Sequence, residues 1–79
     1  MAYTVISRPN CPWCDKAMAL LYEVGIEYEK VDMTMEPWVR TLILKTDITT
    51  VPQVFDHNGV HIGGHEELVM HINNLDIYQ

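Results

Sequence analysis

Thr4-Val5-Ile6-Ser7-Arg8-Pro9-Asn10-Cys11-Pro12-Trp13-Cys14-Asp15-Lys16 is the stretch that decides how this chain folds. Tyr3 to Ser7 reads as a short β-strand. From Pro12 to Val24 the apolar residues Ala17, Leu20, Leu21 and Val24 recur at helical spacing, and Gly25 stops the helix. Proline is favoured at the first helical position, so Pro12 makes Cys11 the N-cap. The unpaired N–H groups and the dipole of the helix then point at the Cys11 sulfur, with Cys14 one turn further in. A C-x-x-C pair between a strand and a helix is the layout of a dithiol–disulfide redox site.

Outward from this stretch, Ile26 to Val31 alternates apolar and polar residues and predicts a half-buried strand. Thr34 is suited to cap a second helix, with Glu36 and Pro37 in its first turn and Val39, Leu42 and Ile43 as its apolar stripe. Gln53-Val54-Phe55 and Val60-His61-Ile62 flank Asn58-Gly59, a strong hairpin signal. Gly63-Gly64 breaks the last strand, and Leu68, Val69, Ile72 and Leu75 mark a final helix. The order is β-α-β-α-β-β-α. A right-handed crossover makes the first two strands parallel and the hairpin adds an antiparallel pair. The expected fold is α/β: a thioredoxin-like, three-layer domain over residues 1–79, with a four-stranded mixed sheet, one helix on one face and two on the other.

Seventy-nine residues suit one domain. Such a chain buries only ~60–65% of its unfolded surface, so modest stability is expected. Its two cysteines form at most one bridge, and a C-x-x-C bridge closes too small a loop to stabilise much by chain entropy. The pair is therefore read as chemical. Eleven acidic against five basic residues give a net charge of −6, which argues against nucleic-acid binding. No apolar stretch approaches the ~20 residues that span a bilayer. The first residues lack the basic region of a signal peptide, so the expectation is a cytoplasmic, reducing location.

Each candidate site has a plainer alternative. A free cysteine, with a pKa of ~8.5, is only about 3% thiolate at pH 7. A helix N-terminus stabilises an anion by ~0.3–2 kcal/mol, or up to ~1.5 pKa units, so a moderately depressed Cys11 is expected. Asp15 opposes the shift, Arg8 and Lys16 favour it, and Cys14 stays protonated. The alternatives are two inert buried cysteines, or zinc held with His61 and His65, whose distance from the cysteines in sequence exceeds that of a zinc finger. No metal is expected. His57 and His71 read as solvated. Pro52 can be edge punctuation, and Gly63-Gly64 before a helix can be a turn or an anion cradle.

Three motifs together carry a family resemblance. Arg8-x-x-Cys11-Pro12-Trp13-Cys14, Thr50-Val51-Pro52-Gln53-Val54-Phe55 and His61-Ile62-Gly63-Gly64-x-Glu66-Glu67-Leu68 occur in the order and spacing of dithiol glutaredoxins. In its brevity the chain resembles those of T-even-type phages, which would place it in a host cytosol. The resemblance implies Cys11 as nucleophile and Cys14 as resolving thiol, with glutathione as reducing co-substrate and no bound cofactor. It implies a cis bond before Pro52 and backbone pairing between Val51 and glutathione. The helix start at Gly64, His65 and Glu66 would receive the γ-glutamyl carboxylate, and Glu66 or Glu67 its amine. Arg8 would face the glycyl carboxylate, and Trp13 would wall the groove. Protein disulfides, ribonucleotide reductase among them, are the implied clients, and a monomer the implied state.

The chain departs from the pattern in three places. Trp13 replaces the usual Tyr, and Glu66 replaces a frequent Asp. Ile48 and Thr49 stand where Arg or Gln often anchors a carboxylate, with Lys45 a turn away as a substitute. Three rivals follow: a redoxin reduced by thioredoxin reductase, an iron–sulfur carrier, which Pro12 disfavours, and a non-enzymatic interaction module.

Overall fold

The computed structural model describes residues 2–38, 41 and 50–75. Its elements are β1 (Tyr3–Ser7), α1 (Pro12–Glu23), β2 (Tyr28–Asp32), β3 (Gln53–Phe55), β4 (His61–Gly63) and α2 (His65–Asn73). The sheet order is β2-β1-β3-β4. β1 runs parallel to β2, with Tyr3 opposite Tyr28 and Ser7 opposite Asp32. It runs antiparallel to β3, with Val5 opposite Val54, and β3 runs antiparallel to β4. This is the predicted mixed sheet, with the two strands of highest apolar content at its centre.

Both helices pack on one face of the sheet. Alternation along β1 sends Tyr3 and Val5 to that face, where they meet Ala17 and Leu21 of α1, Leu68 and Ile72 of α2, and Val54 of β3. Leu21, Leu68 and Val54 have no exposed surface. Burying a side chain of this size stabilises by about 1.5–3 kcal/mol. Ile6 points to the other face and is also buried. The helix expected from Thr34 onward, and with it the third layer, lies largely outside the described residues. Where residues are described, Thr34 is not a helix cap. Its N–H and hydroxyl both donate to Asp32 Oδ1, at 2.8 and 2.6 Å, inside a turn over residues 33–35. The helical backbone begins at Pro37.

Other boundaries moved slightly. α1 ends at Glu23, with Val24 as C-cap and Gly25 at φ +77. β2 starts two residues later than the alternation suggests, because Ile26 already bonds back to the Leu21 carbonyl. β4 extends through Gly63, which pairs with Val54 across a register shift. His71 is half-buried, and its Nε2 lies 2.9 Å from the Tyr3 hydroxyl. The His57 ring stacks on Tyr3 at 6.1 Å.

The hairpin turn is held by Asp56. Its Oδ1 accepts the N–H of Asn58 at 2.8 Å and of Val60 at 2.9 Å, and Gly59 takes φ +81. The Val60 bond first, then the Asn58 bond and the nearby His57 and His71, hold the Asp56 carboxyl below its usual range. The unfolded chain therefore binds that proton more readily than the folded one. The resulting stability is fully present above pH ~4 and is lost as pH falls through the depressed folded value. Asp56→Asn keeps an acceptor and removes the charge. Urea unfolding should show wild type above the variant at pH 6, with the gap closing towards pH 2. A gap that does not change with pH would rule out the charge as its cause.

Candidate active site

The site begins where β1 delivers the chain to α1. Asn10 takes φ +57, a left-handed conformation that asparagine tolerates better than most residues. Cys11 follows in extended conformation as N-cap, and Pro12 opens the helix. The Cys14 N–H reaches the Cys11 sulfur at 3.2 Å. Cys11 and Cys14 are joined as a disulfide, with Cα atoms 5.2 Å apart. Cys11 retains 8% exposure against 1% for Cys14, so an incoming sulfur reaches Cys11 first.

The Val51–Pro52 peptide is cis. The Val51 carbonyl oxygen lies 4.0 Å from Cys11 Sγ, and Pro52 is buried. A groove of about 630 Å³ opens beside this edge. Its walls include Trp13, Thr50, Val51, Pro52 and the start of α2 from Gly64 to Glu67. Trp13, 55% exposed, has two neighbours. The Lys16 ammonium sits 4.3 Å from its ring, and the His65 ring lies 5.2 Å away at 50°. The contact with His65 links the first turns of α1 and α2 across the groove mouth.

The two glycines before α2 have different tasks. Gly63, at φ +128, carries the left-handed conformation, whereas Gly64 has φ −85. A β-carbon on Gly63 would stand 2.8 Å from Glu67 Cβ. Glu67 is not a free acid for an amine. Its Oε1 accepts the Gly64 N–H at 2.8 Å, the return half of a capping box whose other half glycine has no side chain to make. That leaves exposed Glu66 as the available carboxylate, and the first-turn N–H groups of His65 and Glu66 to meet an anion. Arg8 is exposed on the β1–α1 loop, outside the groove lining. Lys45, Ile48 and Thr49 lie outside the described residues.

His61, weighed as a metal ligand, is bonded to Gln53 at 2.6 Å, and His65 lies against Trp13, so the two histidines serve different neighbours. Among the described residues no cluster of three His, Cys, Asp or Glu is placed to hold a metal. Sequence reasoning missed Val69 and Met70, which extend the groove along α2. They follow His65 and Glu66 by four residues, and that spacing puts them on the same helix face.

A mixed four-stranded sheet with a C-x-x-C disulfide at a helix N-cap, facing an X-Pro loop, defines a dithiol protein of the thioredoxin fold. The comparisons narrow this. The sequence profile named Glutaredoxin matches residues 3–62, and the chain belongs to that family of thiol–disulfide oxidoreductases. It is 35% identical over 65 residues to the hybrid peroxiredoxin hyPrx5 of Haemophilus influenzae, covering 82% of this chain and 27% of that protein. It is 36% identical over 72 residues to glutaredoxin 1 of Rickettsia bellii, covering 85% of this chain and 72% of that one. The chain thus spans about a quarter of the hybrid peroxiredoxin and most of the glutaredoxin. Among solved structures, a buckwheat glutaredoxin–glutathione complex aligns with a TM-score of 0.76 at 26% identity, covering 91% of this chain and 68% of that one.

Proposed function

We propose that this chain reduces protein disulfides and glutathione mixed disulfides, using glutathione as its reductant. The observation that carries the reading is the position of the Cys11 sulfur. It lies at the N-terminus of α1 and 4.0 Å from the Val51 carbonyl, beside a groove that takes in the N-terminus of α2. In the reduced protein the Cys14 N–H and the helix dipole favour a Cys11 thiolate. That thiolate attacks the glutathione sulfur of a mixed disulfide. A Cys11–glutathione disulfide forms, and the other sulfur leaves and takes up a proton. A second glutathione thiolate then attacks the glutathione sulfur on Cys11, releasing oxidised glutathione and the Cys11 thiolate. With a protein disulfide, the Cys11 thiolate first bonds one client sulfur and displaces the other as a thiolate. Cys14, deprotonated, then attacks Cys11 Sγ and displaces the bound client sulfur as a second thiolate, and both client thiolates take up protons. The product is the Cys11–Cys14 disulfide, which two glutathiones reduce.

Glutathione fits the groove in one direction. Its cysteine pairs with the Val51 backbone as an added strand. Its γ-glutamyl carboxylate meets the N–H groups at the start of α2, and its amine meets Glu66. Trp13 walls the tripeptide. The similarity to a glutaredoxin solved with glutathione supports this occupant. A ribonucleotide reductase is one proposed client, and a monomer in a reducing cytoplasm is the proposed working state.

A coupled assay with one mixed-disulfide substrate and two electron donors tests the reading. Glutathione with glutathione reductase should support turnover at least about tenfold faster than thioredoxin reductase, a barrier difference of ~1.4 kcal/mol. The reverse preference would replace glutathione with thioredoxin reductase as the source of electrons.

A further inference from the structure

Gln53, the first residue of β3, has an amide anchored at both ends. Its Nε2 donates to the Thr50 carbonyl at 2.9 Å and to the Thr50 hydroxyl oxygen at 3.1 Å, reaching back over Val51 and Pro52. Its Oε1 lies 2.6 Å from His61 Nε2 on the neighbouring strand. A backbone carbonyl can only accept, so the amide nitrogen must face Thr50 and the amide oxygen must face His61. His61 therefore donates from Nε2, in the neutral tautomer protonated there or in the charged ring alike. The His61 ring is itself set against Phe55, its register partner, at 5.0 Å. Gln53 is only 7% exposed, so its amide must find partners within the protein, while Thr50 and His61 keep their outer sides in solvent.

We propose that Gln53 is a positioning residue for the substrate-pairing edge at Val51, and that His61 orients it. The inference rests on the reading of Val51 as the edge that pairs with the disulfide substrate. Thr50 and Val51 both line the groove, and the Val51 carbonyl faces Cys11. An added strand binds only an edge whose N–H and C=O directions are already in place. A loop that must first be ordered weakens binding by the cost of that ordering. The chain from Gln53 to Thr50 ties this loop to the hairpin, so it is held in place before substrate arrives.

The test uses Gln53→Met, which keeps the length and packing of the side chain without its hydrogen bonds, and His61→Phe and His61→Gln. Each is assayed on a glutathionylated peptide in two arms, one with glutathione and glutathione reductase, the other with dithiothreitol. For Gln53→Met the KM for the peptide should rise about three- to tenfold in both arms, equivalent to ~0.6–1.4 kcal/mol. Its kcat and the rate of Cys11 alkylation by iodoacetamide should stay near wild type. His61→Phe should move KM in the same direction, and His61→Gln, which retains a donor, should restore it. A wild-type KM for Gln53→Met in both arms overturns the proposal. So does a joint fall of alkylation and turnover, which would make Gln53 a structural residue only. Wild-type turnover in the dithiothreitol arm alone would refute glutathione as reductant, and the KM shift in that arm would still decide the role of Gln53.

Discussion

Cys11→Ser should abolish thiol exchange, with turnover falling more than about a thousandfold, a loss of ~4 kcal/mol in transition-state stabilisation. A serine hydroxyl at the same N-cap keeps the geometry, but it neither ionises near neutral pH nor forms a mixed disulfide. Nothing nearby can replace it, because Cys14 is 1% exposed on the inner side of the first turn. Cys14→Ser should behave differently on two substrates. With a glutathione mixed disulfide it should stay within about tenfold of wild type, a cost of no more than ~1.4 kcal/mol, since a second glutathione resolves the intermediate. With a protein disulfide it should stall as a trapped Cys11–client disulfide, visible by mass spectrometry. An inactive Cys14→Ser beside an active Cys11→Ser would reverse the assignment of nucleophile and resolving thiol.

Gly63→Ala should be the most damaging of the glycine-to-alanine changes in this chain. Two effects add. At φ +128 a β-carbon meets backbone strain, of order 1–3 kcal/mol for such regions. The same carbon would lie 2.8 Å from the Cβ and Cγ of Glu67. Glu67 Cβ is fixed by the helix backbone, so no side-chain rotation relieves the clash. α2 would have to shift away from β4, breaking the Glu67–Gly64 cap at the groove floor. A cost of ~2–4 kcal/mol corresponds to a fall in Tm of at least about 8 °C for a chain of this size. Glutathione turnover should fall as well, because the α2 N-terminus moves. Gly64→Ala is the control. Its φ of −85 suits any residue, and an added Cβ would meet only the end of the Glu67 side chain at 3.3 Å and the Pro52 carbonyl at 3.5 Å. It should unfold within about 1 kcal/mol of wild type, as substitutions without a named strain usually do. Equal Tm values for Gly63→Ala and wild type would sink the account of this turn.

These two predictions draw on different levels of information. The Cys11 assignment was legible in the sequence. Strand, proline at the first helical position, C-x-x-C and the helical spacing of Ala17, Leu20, Leu21 and Val24 are local signals. Each depends on neighbours within a few turns, and they agree with one another. The Asn58-Gly59 hairpin and the Gly25 stop were readable for the same reason. The Gly63 prediction was not. Sequence marks a glycine pair before a helix, but which member turns left-handed depends on where β4 must end to stay paired with Val54.

The same boundary runs through the rest of the site. Residue type and motif spacing pointed to Cys11, Cys14, Trp13, Val51, Pro52 and the start of α2. They did not show that His65 lies against Trp13, or that His71 bonds to Tyr3 from the far end of the chain. Nor did they show that Gln53 ties Thr50 to His61. Local order along the chain determined the dithiol, its helix and the strand sequence, because capping, periodicity and turn chemistry act over a few residues. Only the tertiary structure decided which polar groups meet each other. A hydrogen bond selects its partner by distance and direction, and the packing of α1, α2 and the sheet against one core sets both.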